Sequence, residues 1–533
     1  MTRNLKTTVI ETSFSRLKRL TQADSITFRI SADEISHRFL PVEISRQTFY
    51  VYSAFHVEGG IRIIALKKRN EAITRLYCAV WYNCNDPTEA KSGKDVTVVA
   101  ASVRNLHDHH GLDYTAAFIL CPLKQPTSSD ADTYPPSMLQ KTQIQDTPLR
   151  VSLIDEGEQE LATLVELPIE TDEIVCRGKN ENKRDASAIN EKLDIGKVTK
   201  NLDLAKTPKN PDFVKTPKNP DFAKTTKNPD GAKITVKPSV TETTEISPDG
   251  KVRTCFRERV EFTVCSSVLH SMFSRSESLV ETVEMSRLLG AGRVVFYNAS
   301  ISADVNQVLG LYAQDWSEGR EALEVVVLPW DLPKLLSPDK LYQFGKMAAI
   351  NDCLHRYRNS SRYIVFSDLD EFIMPIKFSS WSELIAQVNR AQPGTSEYLF
   401  QRTIFRRQRP SLTKDFHATA EEYNPAILGV TQREDYIFPQ KIRSRMIVDP
   451  VAAKEIGLHF AWRILGKSYN VSTEDGLVHD YKETTLNGNI VIPNELSRRN
   501  TRVTDMYVAN RFGLSLATRL KTIWSRLKRE QFV

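Results

Sequence analysis

The 533-residue chain has no apolar run of about 18 residues or more, so no segment reads as a membrane-spanning helix. Residues 116–123 are among its longest apolar stretches. The first residues, Met-Thr-Arg-Asn-Leu-Lys, lack the apolar core of a signal peptide or anchor. The seven cysteines form no C-x-x-C pair and no zinc spacing, and an odd number leaves at least one thiol unpaired within a monomer. A net charge of +6 over this length is mild and points to neither nucleic acid nor membrane. The hydrophobic fraction, 41%, is low for a wholly globular chain and implies a polar segment somewhere.

That segment is easy to place. Residues 1–45 are polar, and residues 46–124 then carry short β-rich runs at 49–55, 61–66, 76–82, 95–99 and 116–120, with Gly59-Gly60 at a turn. The cluster Asp108-His109-His110 within this module reads as a polar loop, because no second cluster stands at ligand spacing. Residues 125–250 read as a disordered linker rich in Pro, Ser, Thr, Asp and Lys. A nine-residue unit recurs at 205–213, 214–222 and 223–231, with a worn copy at 196–204. Its prolines and scarcity of large apolar residues prevent stacking into a core.

From residue 252 strands and helices alternate. Strands are expected at 261–269, 293–298 and 324–328, and helices at 276–289, 302–316 and 341–358. The pattern predicts an α/β fold with a right-handed parallel sheet covered on both faces. The fourth strand, Tyr363 to Phe366, runs straight into Asp368 and Asp370. Ligands of open α/β sheets bind beyond the carboxyl ends of strands, and paired carboxylates there suit a hard divalent cation shared with phosphate oxygens. Further on, helix 381–390, strand 398–405 and strand 441–448 are expected, the last with Lys441, Arg443 and Arg445 on one side. His479, in GLVHDYK, could complete a metal shell; taken alone, His459 and His479 read as hydrogen-bonded structural histidines. In the tail, 483–533, Leu516, Leu520, Ile523, Trp524 and Leu527 at helical spacing among basic residues read as an amphipathic helix, on a membrane surface or against the catalytic domain.

The runs FTVCSSVLH, LVETVEMSRLLGAGRVVFYNASIS, VVVLPWDLP and AAINDCLHRYRNSSRYIVFSDLDEFIMP resemble glycosyltransferase family 92. FYVYSAFHV and HFAWRI…GLVHDYK resemble its N-terminal and C-terminal segments, so the likeness covers 46–124 and 252–482 and leaves the linker as an insertion. The resemblance implies a GT-A fold and metal-dependent, inverting transfer of galactose from UDP-galactose to a glycan hydroxyl, usually with Mn²⁺. By position, Asp368 and Asp370 would bridge metal and diphosphate, and His479 would be a third ligand. Lys346, Asn351 and Asp352 are donor-site candidates. Asp435 stands for the base, with Glu434, Glu474 and Asp475 left beside it. Animal members are typically Golgi membrane proteins; no anchor is visible here, and an incomplete N-terminus or a cytosolic location is the other reading. Two alternatives stand against the transferase: a haloacid-dehalogenase-like phosphatase with Asp368 as nucleophile, and an inactive transferase-like binding protein.

Overall fold

The computed structural model describes residues 38–44, 47–74, 76–82, 96–123, 148–155, 166–170, 175–178, 240–246, 252–317, 319, 322–337, 339–407, 426–483 and 501–530. The N-terminal residues before 38 and the repeats at 196–231 lie outside them. The chain divides into two compact units, Met1–Asp172 with Arg259–Val533, and Glu173–Glu258. The smaller unit holds a three-stranded antiparallel sheet, Val175–Gly178, Val252–Glu258 and Val240–Ile246 in spatial order.

The larger unit is strand-rich α/β with mixed sheets. Its central sheet has seven strands, in the order Glu324–Pro329, Arg293–Asn298, Val260–Leu269, Ser361–Phe366, Arg445–Val448, Thr395–Phe400 and Lys467–Asn470. The first four run parallel, as the alternation predicts. Arg445–Val448 is antiparallel to both of its neighbours, so the sheet is mixed. Residues of the inner strands are buried on both faces, which explains their continuous apolar runs. Val264, Val294, Phe296 and Val365 share one core with helices Ser276–Leu289 and Ala303–Ser317. Cys265, Val295, Tyr297 and Ile364 share the other with helix Lys346–Arg356 and with the N-terminal module.

That module contributes a sheet of nine strands, which also takes in Pro148–Asp155 and Glu166–Glu170 from the stretch read as linker. It is joined to helix Lys346–Arg356 by buried polar bonds: Ser53 donates to Asp352, and Arg62 meets His355 at 2.9 Å. Disulfides join Cys78 to Cys121 and Cys265 to Cys353.

Three elements differ from expectation. The helix expected from residue 341 begins at Lys346, because Gln343 and Phe344 take left-handed backbone angles and Trp330 Nε1 donates to the Phe344 carbonyl at 2.8 Å. The strand expected over 398–405 is two, Thr395–Phe400 and Arg402–Arg407, separated at Gln401. The strand expected from Lys441 starts at Arg445; Lys441 and Arg443 have positive φ and lie in the preceding loop. The tail forms helix Tyr507–Glu530, but Leu516, Leu520, Ile523 and Leu527 are buried in the protein core, which removes the apolar face a membrane surface would need. Arg526 clasps Asp315 with bonds of 2.5 and 2.6 Å. Among the described residues no helix is long and apolar enough to cross a membrane.

Candidate functional site

The chain leaves the central sheet twice at neighbouring points. After Ser361–Phe366 it passes through Asp368 and Asp370 into strand Glu371–Met374, and at Gln401 it passes from Thr395–Phe400 into Arg402–Arg407. Both newcomers belong to a five-stranded sheet, on either side of Leu477–Glu483. Strand pairing sets Glu371 opposite Asp480. Four carboxylates and four cations meet at this seam between sheets.

Asp368 accepts hydrogen bonds from Ser267 at 2.7 Å, from Lys346, and from Arg445 at 2.7 Å. Lys482 holds Asp370 at 3.0 Å. Glu371 is clasped by Arg402 and Arg445, and Arg402 also donates to Asp480 at 2.6 Å. Burial by itself would raise the Asp368 carboxyl, but Lys346 and Arg445 outweigh it and hold the group well below the usual carboxylate range. Glu371 follows the same logic: burial opposes ionisation, while Arg402 and Arg445 bring it down to about 2. Asp480 goes the other way, because burial and the charge of Glu371 push it up to about 6.

Side-chain exposure separates the roles. Asp368 and Asp370 retain 19% and 16%, whereas Glu371 and Asp480 retain 1% each. The first two face outward, and the second two form the floor. One oxygen each from Asp370, Glu371 and Asp480 lies within 4.8 Å of the others, a donor set that fits a hard divalent cation. The Asp480 Oδ1 atom is buried without a hydrogen bond, although Lys482 Nζ stands 3.2 Å away. A buried carboxylate oxygen left in that state is available to an ion.

A profile of glycosyltransferase family 92 matches residues 260–516. These residues are a glycosyltransferase family 92 domain. The chain is also 21% identical, over 243 residues, to the beta-1,4-galactosyltransferase galt-1 of Caenorhabditis elegans. That match covers 44% of this chain and 51% of the relative, so the chain spans about half the length of the curated protein it matches.

Of the residues singled out in sequence, the family 92 domain brings Lys346, Asp368 and Asp370 together. It does not bring Asn351 or Asp352 to them. Asn351 is fully buried and locks onto the backbone of Ile456 in both directions. Asp352 is fully buried too, accepting from Ser53, from Tyr297 at 2.6 Å and from Arg356. Both serve packing of the helix and have no free atom for a donor. His479 points away from Asp480, since neighbours on a strand face opposite sides. Its ring packs 4.6 Å from that of Phe405, both nitrogens are buried without hydrogen bonds, and burial takes it down to about 4.

Asp435 is exposed and accepts a long bond, 3.5 Å, from Thr501. Glu434 is buried against Arg406, and Glu474 and Asp475 pair with Lys377 on the surface. Sequence reasoning missed Glu371, Asp480, Arg402, Arg445 and Lys482 as site residues. For Asp480 and Lys482 a signal was present: positions i and i+2 of one strand share a face, so a strand GLVHDYK pairs these two and turns His479 away.

Proposed function

We propose that the chain transfers a hexosyl group, galactose by likeness to its relative, from a UDP-sugar to a glycan hydroxyl, in the GT-A manner and with inversion. The observation that carries this is the carboxylate seam at the end of strand Ser361–Phe366, inside a family 92 domain. Asp370, Glu371 and Asp480 would hold a divalent cation such as Mn²⁺. Bound there, the cation would neutralise charge on the leaving diphosphate. Lys346 and Arg445, now spent on Asp368, stand where a diphosphate would compete for them. Charge-assisted bonds from two such cations are strong enough to orient a phosphate. Inversion needs a carboxylate to take the acceptor proton. Asp435 is our candidate, because the segment it opens returns at Phe438, whose N–H bonds the Arg402 carbonyl at 2.8 Å. The two disulfides belong to an oxidising compartment and support a lumenal, Golgi-type setting.

The test is UDP release with Mn²⁺ from a panel of UDP-sugars by wild type and Asp370→Ala. Release from UDP-galactose that disappears in the variant and with chelator is expected. Absence of both release and UDP binding in wild type would overturn the assignment.

A further inference from the structure

Every positive-φ non-glycine residue among the described residues lies in one of four loops: Asp108 and His110; Ser271 and Met272; Gln343 and Phe344; Lys441 and Arg443. Such angles cost energy and are retained where surrounding structure demands them, often at working sites. Three of the loops adjoin the seam through the family 92 domain itself. His270 stacks on Phe344 at 3.8 Å, Phe344 lies two residues before Lys346, and the Arg443 carbonyl accepts from Arg402 at 2.7 Å. The fourth loop comes from the N-terminal module, outside the matched domain.

Two chains of contact lead from that loop to Asp368. Asp108 accepts the Leu458 N–H at 3.2 Å, and the Leu458 carbonyl accepts from Arg445 Nη1 at 2.7 Å. Arg445 Nη2 in turn holds Asp368. On the other side the exposed ring of His110 stacks on Tyr342 at 3.7 Å and 21°. Tyr342 opens the tight turn that ends in Lys346, the second cation on Asp368. Burial raises the Tyr342 hydroxyl, and the charges of Asp108 and Asp368 both add to the effect, which sets the ring between the module and the seam.

We infer that Asp108 and His110 of the N-terminal module are positioning residues for the nucleotide site, fixing Arg445 and Lys346 to receive a metal-bound nucleoside diphosphate. The inference rests on the proposed function and extends it: the module is a working part of the donor site. A Gly at 111, with φ of 77° and open space around it, lets the loop turn back after making both contacts. The Asp108-His109-His110 cluster then needs no metal of its own.

Titration of the full chain with UDP in the presence of Mn²⁺, followed by calorimetry, tests it. Asp108→Ala should raise the dissociation constant about tenfold at unchanged stoichiometry, the usual scale for a group that orients a ligand-holding residue. Asp108→Asn keeps an oxygen for the Leu458 N–H and should stay near wild type. His110→Ala should weaken binding by about threefold and His110→Phe should restore it, since stacking needs a ring and not a charge. A loss of stoichiometry at constant affinity would mean only misfolding and would overturn the inference. So would wild-type affinity in both alanine variants while Asp370→Ala abolishes binding, an outcome that spares the proposed function. If wild type itself binds no UDP, the proposed function fails and this inference with it.

Discussion

The two sheets that meet at the seam are built in opposite ways. In the first half of the seven-stranded sheet Val260–Leu269, Arg293–Asn298 and Glu324–Pro329 pair in chain order through one helix each, and Ser361–Phe366 then crosses back to the free side of Val260–Leu269. The five-stranded sheet pairs Glu371–Met374 with Leu477–Glu483, and Arg402–Arg407 with the same strand, across roughly a third of the family 92 domain. The Arg402–Asp480 and Arg445–Asp368 bonds span 78 and 77 residues. The parallel half of the central sheet and its helices deliver Asp368, Asp370 and Lys346; the long-range half is Arg445, from the reversed strand of the same sheet, with Arg402, Asp480 and Lys482 from the five-stranded sheet. A carboxylate cluster this buried could not stay ionised without those cations. The lesson is that site carboxylates can follow a strand that local periodicity reveals while the charges that keep them ionised depend on the whole fold.

The sharpest way to break this comparison is to remove a cation from the long-range half. Arg445→Met keeps length and apolar bulk but takes from buried Glu371, and from Asp368 at the edge of the seam, the partner they share. Orphaning a buried charge typically costs about 3–5 kcal/mol. The matched control on the local half is Arg362→Ala, whose pair with Glu261 is 4.0 Å apart with Arg362 largely exposed. An exposed pair is worth at most about 1 kcal/mol. Urea denaturation should show the first variant far less stable than the second. Equal losses would mean that the seam cations carry no special burden.

A smaller effect tests where the tail belongs. Helix Tyr507–Glu530 follows the five-stranded sheet in sequence, yet in space it joins helix Ser276–Leu289 over the central sheet. Arg526→Leu would take from buried Asp315 the two bonds of its guanidinium clasp. Arg526 is itself partly exposed, so water would soften the loss to about 1–3 kcal/mol. The expected result is a lowered denaturation midpoint with UDP affinity unchanged. Unchanged stability would detach the tail from the fold and reopen a surface role for its basic face.

How much of this was legible follows from the same division. The DLD strand, the flanking helices and the N-terminal strands announce themselves by local periodicity, a property of neighbouring residues. The kink at Gln343–Phe344 depends on Trp330 capturing a carbonyl, and the break at Gln401 depends on a sheet that does not yet exist when the sequence is read. Asp352 and Asp368 make the point most plainly. Both are aspartates of one βα unit, both hold three polar partners, and sequence pointed to both as donor-site residues. Only the fold shows that Ser53, Tyr297 and Arg356 enclose Asp352 completely, while Ser267, Lys346 and Arg445 hold Asp368 at an open edge. Chemistry was readable as residue type; exposure was not.

His479 gives the smallest expected effect and the finest test. It stands beside Asp480 on one strand, and resemblance made it a metal ligand, whereas its ring lies among Phe405, Tyr481 and Tyr507. Burial, partly offset by Asp505 and reinforced by Arg433, depresses it to about 4. A histidine depressed from about 6.5 contributes its full share to stability above that value and loses it as pH falls through about 4. Asp480, raised to about 6, has the opposite sense: its share is present at low pH and is lost as pH rises through about 6. Comparing His479→Leu with wild type cancels the Asp480 term, because both proteins keep it. Near pH 7 the substitution exchanges one apolar-packed side chain for another of similar size, a change of under about 1.5 kcal/mol. Toward pH 4.5 wild type should lose stability that the leucine variant keeps. Mn²⁺-dependent UDP affinity should stay within about twofold, since the ring faces away from the ion's ligands; loss of a ligand or its supporting shell costs about 10–100-fold. A loss on that scale with the acid sensitivity retained would put His479 in the shell and turn the strand over, and with it the assignment of Asp480 to the floor of the site.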